Sequence, residues 1–96
     1  MVEKIYQRAL YLELKRTRLK FEREKKIEIK YHNATVGYQV VDFIVEDKVL
    51  VEIKAVSELG DIQVGQTATY LHATKLPLAL ILNFGKPRLE IKRVIN

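Results

Sequence analysis

Val40-Val-Asp42-Phe-Ile-Val45-Glu-Asp-Lys48-Val-Leu50-Val-Glu52-Ile-Lys54-Ala55 is the stretch on which the fold turns. β-branched and apolar residues bracket one short polar break, the pattern of two strands joined by a tight loop. A three-residue loop of Glu46, Asp47 and Lys48 pairs Val45 with Val49 and sets Asp42 opposite Glu52. Side chains alternate along a strand, so Lys54 shares a face with Glu52 and Asp42, framed by Val40, Ile44 and Leu50. Like charges set opposite each other on a sheet are destabilising, and desolvating them costs more. A divalent cation is the simplest relief. The plainer alternatives are that Asp42 pairs with Lys54 or sits on a solvated edge. Against them, the remaining strand positions are nearly all apolar, as in strands buried on both faces.

Outside the hairpin, length and composition set the bounds. Ninety-six residues predict one domain spanning 1–96. With 48% hydrophobic residues the chain is globular rather than disordered. It has no cysteine, which excludes disulfides and thiolate metal sites and fits a reducing, cytoplasmic setting. No signal peptide is expected, because charge alternates with apolar residues from Glu3 onward, and no apolar run approaches membrane-spanning length. The net charge is +5, and the cations are clustered. Lys15, Arg16, Arg18, Lys20, Arg23, Lys25 and Lys26 crowd one segment, and Lys86, Arg88, Lys92 and Arg93 form a second. Such a balance favours a polyanionic partner, nucleic acid first. Taken alone, a charge run is more often a solvated surface.

Ile5, Tyr6, Ala9 and Leu12 recur at helical spacing and predict a helix from Val2 to about Leu19, uncapped and prone to fray at its first turn. Lys20 to Lys26 reads as a charged connection anchored by Phe21. Ile27 to Tyr31 alternates as a strand, and His32 to Thr35 is a turn in which Asn33 tolerates left-handed backbone. A long strand Val36–Val45 follows, with Gly37 at a possible bulge. Asp61, read as the N-cap, opens a helix to about Lys75, Leu78–Asn83 is a buried strand, and Arg88–Val94 is a last strand. Strand-helix-strand after Lys54 requires a crossover, hence parallel pairing within a mixed sheet flanked by two helices, in the order α-β-β-β-α-β-β. The fold class is α/β. On the second helix Gln66 and Tyr70 stand four apart on one face, directly after the Glu52-Ile53-Lys54 strand.

Asp42, then Glu52-x-Lys54, then Gln66-x-x-x-Tyr70 resembles the PD-(D/E)XK nuclease superfamily, and most closely its small GxxExxY branch. Glu3-Lys-Ile-Tyr6, Phe21-Glu22, Val51 to Val56, Tyr70-Leu71, Ala73-Thr74 and Ile81-Leu-Asn-Phe-Gly85 extend the resemblance over almost the whole chain. It implies a restriction-endonuclease-like core. It also implies that Asp42 and Glu52, with the carbonyl of Ile53, hold Mg²⁺ or Mn²⁺ through oxygen ligands. Lys54 would orient or activate the attacking water and offset phosphate charge. Gln66 and Tyr70 would position Lys54 or the phosphate, and Glu3 would touch metal-bound water. The branch's glycine would fall one residue before Met1, its preceding helix has no counterpart, and Val41 stands at the superfamily's proline position.

The function expected is therefore a metal-dependent nuclease acting on nucleic acid, DNA in the first place, as a dimer large enough to span a duplex. The alternative is a catalytically silent nucleic-acid-binding or assembly module that keeps the nuclease fold. A complete Asp/Glu/Lys set favours the enzyme, since a binding module needs no paired carboxylates facing a phosphate. A structural basic protein is a distant third, because it leaves the hairpin unexplained.

Overall fold

The computed structural model describes residues 2–96, so Met1 lies outside the description. The elements are α1 (Val2–Lys15), β1 (Phe21–Tyr31), β2 (Ala34–Val45), β3 (Val49–Lys54), α2 (Asp61–Thr74), β4 (Leu78–Asn83) and β5 (Glu90–Ile95). This is the expected α-β-β-β-α-β-β order. The strands form one sheet in the order β1-β2-β3-β4-β5. Only β3–β4 is parallel, bridged by the α2 crossover, and Val45 does pair with Val49.

Several boundaries differ from the sequence expectation, and strand β2 already starts at Ala34 rather than Val36, its turn being His32 and Asn33 alone. Helix α1 stops at Lys15 rather than Leu19, because Thr17 caps the end. Its Oγ1 donates to the Leu14 carbonyl at 2.7 Å and accepts from the Leu19 N–H at 3.1 Å. The charged segment from Phe21 to Lys26 is strand, not connection, because pairing with apolar β2 overrides its composition. Phe21 is nonetheless the anchor, its ring edge-on to Tyr11 and Phe43 at about 6 Å. The N-cap of α2 is Gly60 rather than Asp61, and its N–H donates to Gln63 Oε1 at 2.8 Å. The last strand starts at Glu90 instead of Arg88.

The β1–β2 turn is made by His32 and Asn33, both left-handed at φ 49° and 65°, as a two-residue hairpin of matching twist requires. Val36 stands unopposed where the register shifts, placing a bulge beside Gly37.

Two cores sandwich the sheet. On the α2 side Ile44, Leu50, Ala79 and Ile81 pack with Leu71 of the helix. On the α1 side Phe43, Val51 and Ile53 pack with Tyr6, Leu10 and Leu14. The two cores disclose an irregularity. Val41 belongs to the α2-side core and Phe43 to the α1-side core, although residues two apart in a regular strand face the same way. Strand β2 therefore turns over at Asp42. Its neighbour does the same at Glu24, where φ is 52° and where the ladder skips the rung between Arg23–Phe43 and Lys25–Val41. Strict alternation, from which the common face of Asp42 and Glu52 was expected, does not hold here.

Candidate active site

The β2–β3 ladder ends at Phe43–Val51, so the strands part where Asp42 and Glu52 stand. The Ile53 N–H, which a continued ladder would give to a backbone carbonyl, donates instead to Asp42 Oδ2 at 2.7 Å. A strand residue's N–H and C=O point to the same neighbour, so the Ile53 carbonyl also faces the gap. The other carboxylate oxygen, Asp42 Oδ1, accepts from Gln7 Nε2 at 2.5 Å. The gap opens as a cleft of about 290 Å³ whose lining includes Glu3, Gln7, Asp42, Glu52, Ile53 and Lys54. A larger cavity of about 770 Å³ lies elsewhere, between the C-terminal end of α2 and the β1–β2 ribbon, and shares none of these residues.

Glu52 is the most perturbed group. It is 7% exposed, and its Oε1 is fully buried without a hydrogen-bond partner. Burial first, then the hydrogen bond and charge of Asp42, push its carboxyl up to about 9, with Glu3 adding and Lys54 opposing. Glu52 is thus a neutral acid at pH 7 until something positive arrives. Lys54 ends β3 and lines the cleft, and its own carbonyl accepts the Phe84 N–H at 2.8 Å. Its ammonium forms no ion pair within 4.0 Å among the described residues.

Glu3 sits in the first turn of α1, where a carboxylate suits the helix dipole, and its Oε2 accepts the Ala55 N–H at 3.2 Å. Tyr70 is brought near Glu52: burial first and then the Glu52 charge raise its hydroxyl above the usual phenol range. Gln66 is exposed, and neither it nor Tyr70, which packs against the α2-side core, is among the cleft-lining residues. Of the α2 pair, only Tyr70 feels the Glu52 charge.

The basic segment is dispersed rather than gathered. Turning over at Glu24 sends Arg23 toward α1 and Lys25 toward α2. Lys20 pairs with Asp47 at 2.7 Å, Lys25 with Glu22 at 2.8 Å and Arg16 with Glu13 at 3.6 Å. Lys15 and Lys26 lie over the Tyr11 and Tyr38 rings, and Arg18 is exposed.

Sequence reasoning missed two residues of this region. Gln7 is 3% exposed on a helix of otherwise exposed or half-buried residues, and it bonds Asp42. Its only signal was its place one helical turn after Glu3. Asn83 is fully buried at the end of β4. Its Oδ1 accepts from the N–H groups of Val56 and Gly85, both at 3.0 Å, and its Nδ2 donates to the Val56 carbonyl at 2.9 Å. A Cβ on Gly85 would lie 2.3 Å from the Val56 carbonyl oxygen, so only glycine lets the two loops touch. Tyr6 of α1 stacks on Phe84 at 4.4 Å, closing the same corner. The polar residue ending an apolar run, followed by Phe-Gly, was the available clue.

A mixed sheet between two helices, parting at an Asp/Glu pair with a lysine two residues on, defines a restriction-endonuclease-like α/β protein. The model of the PD-(D/E)XK nuclease superfamily matches residues 1–94, and the chain belongs to that superfamily. The crystal structure of SSO0001 superposes with a TM-score of 0.78 at 19% identity, covering 99% of this chain and 50% of that one. It shares the fold, and this chain spans half its length. No curated protein matches the chain. No described helix is long and apolar enough to cross a membrane.

Proposed function

We propose that the chain is a metal-dependent nuclease of nucleic acid, with DNA as the first candidate substrate and Mg²⁺ or Mn²⁺ as the cofactor. The observation that carries this reading is the orphaned Oε1 of Glu52, a buried acceptor beside a second carboxylate. Among the described residues no three Asp, Glu or His side chains gather as a cation cage. The donor set is therefore Asp42, Glu52 and the Ile53 carbonyl. Two carboxylates and a carbonyl suit Mg²⁺, which keeps several waters and shares the substrate's phosphate oxygens. When bound, the cation supplies a polarised phosphate and an acidified water.

The chain's own groups divide the remaining work. Glu52 gives up its proton on ligation, which removes the cost of an ionised acid in a buried place. Lys54, without an ion pair among the described residues, lines the cleft as the positive group that offsets phosphate charge and orients the attacking water. Glu3 holds the loop after Lys54 through the Ala55 N–H and leaves its second oxygen to receive a water hydrogen bond. Tyr70 stays protonated near Glu52 as a hydrogen-bond donor for the phosphate or for Lys54. Exposed Arg18 and the half-engaged Lys15 and Lys26 give a polyanion its longer-range attraction, and a second copy of the chain completes a duplex-spanning unit.

The test is Mn²⁺ calorimetry on the native chain, Asp42→Ala and Glu52→Ala, with cleavage of single-stranded, nicked and branched DNA on the same samples. Binding and cleavage are expected together in the native chain and in neither variant. A folded native chain that binds no metal overturns the enzyme reading and leaves a nucleic-acid-binding or assembly module.

A further inference from the structure

Asp42 occupies a place where the backbone alone does not fix a side chain. The rung to Glu24 is missing on one side and the rung to Glu52 on the other. Strand β2 is turning over at this residue, and its partner β1 is left-handed directly opposite. A carboxylate at such a point must be held by side chains, and the residues that hold it form a line. Tyr11 of α1 lies under the Arg23 guanidinium at 4.3 Å. Arg23 Nε donates to Gln7 Oε1 at 3.2 Å, and Gln7 Nε2 donates to Asp42 Oδ1 at 2.5 Å. Asp42 Oδ2 then accepts from Ile53. Lys4 pairs with Glu24 at 3.0 Å, so Lys4, Gln7 and Tyr11, on one face of α1, grip the turned-over segment of β1 together.

The chemistry of this line fixes its direction. Arginine has only donors and an ionised carboxylate only acceptors. Between them a glutamine fits in one orientation, with its carbonyl toward Arg23 and its amide toward Asp42. Each partner demands that same orientation, so the two reinforce one another in holding the amide. We infer that Gln7 and Arg23 are a positioning relay that holds the Asp42 carboxylate in one setting, with lone pairs left for a cation shared with Glu52. Gln7 acts through Asp42, and Arg23 acts through Gln7. This rests on the reading of Asp42 and Glu52 as cation ligands. Partners that orient metal ligands are commonly worth 10–100-fold in metal affinity, so Gln7→Met should weaken Mn²⁺ binding by about tenfold or more.

Mn²⁺ calorimetry on native chain, Gln7→Met, Arg23→Met and the double variant reads the relay, with thermal unfolding as the check on folding. Because Arg23 works through Gln7, the double variant is expected to bind no more weakly than Gln7→Met alone. Native-like binding by Gln7→Met overturns the relay, and so do losses that simply add. A metal-independent readout separates failure of the relay from failure of the nuclease reading. The Gln7 side-chain amide should exchange slowly with solvent by NMR in the native chain and quickly in Arg23→Met. Slow exchange with no Mn²⁺ binding overturns the nuclease reading and the relay's role in it, while the hydrogen-bonded line itself stands. Fast exchange in the native chain overturns the relay outright.

Discussion

The two helices of this protein serve opposite purposes. Helix α2 fills the core: Leu71 and Thr67 are almost fully buried, and Gln66, its sequence-marked polar residue, faces water. Helix α1 buries one residue only, and that residue is the glutamine bonded to Asp42. Both were expected as helices, but α2 alone was expected to bring a hydrogen-bonding pair to the carboxylates. Polarity at a given helical spacing shows which residues share a face. It does not show what that face meets.

The largest effect that would break this contrast is at Glu52. Its carboxyl is raised to about 9 in the folded chain, far above its unfolded value. Between those two values the folded state holds more protons than the unfolded one, so metal-free stability falls as pH rises, by at most about 1.4 kcal/mol per pH unit. Glu52→Gln should abolish Mn²⁺ binding, flatten that slope and raise the metal-free Tm at pH 8. A variant that melts lower than the native chain at pH 8 contradicts the burial argument. In the native chain Mn²⁺ affinity should climb up to about pH 9 with release of about one proton per ion, read by calorimetry in two buffers.

Next in size, Leu71→Ala tests α2 as a core element. It should cost about 2–5 kcal/mol in urea unfolding while Mn²⁺ affinity of the folded fraction stays native. A loss of affinity without a loss of stability would assign α2 to the site instead. Tyr70→Phe removes one donor near Glu52, and a drop in cleavage of roughly tenfold at unchanged Mn²⁺ affinity is expected. Smallest of all, Gln66→Ala should leave cleavage within about twofold of native, as surface changes usually do. A tenfold loss there would show that α2 carries a second catalytic residue that closes only over substrate.

The hairpin shows why some of this was legible beforehand. Val45–Val49 pairing, the left-handed Asn33 turn and the parallel crossover follow from local pattern and loop length. The basic segment shows the converse. Seven cations within twelve residues looked like one surface, yet they run from the end of α1 through the connection onto a strand that turns over, and Lys25 and Lys20 meet carboxylates brought from Glu22 and Asp47.

By itself the sequence determined the order of elements, the strand that precedes the crossover and the residue types at its open end, since hydrophobic period and turn chemistry are short-range. Only the tertiary structure decided which way Asp42 faces, that Gln7 rather than Gln66 meets it, and that Asn83 and Gly85 clamp the loop after Lys54. These depend on a missing rung and on contacts between residues 27 to 35 positions apart, where sequence spacing carries no information about direction.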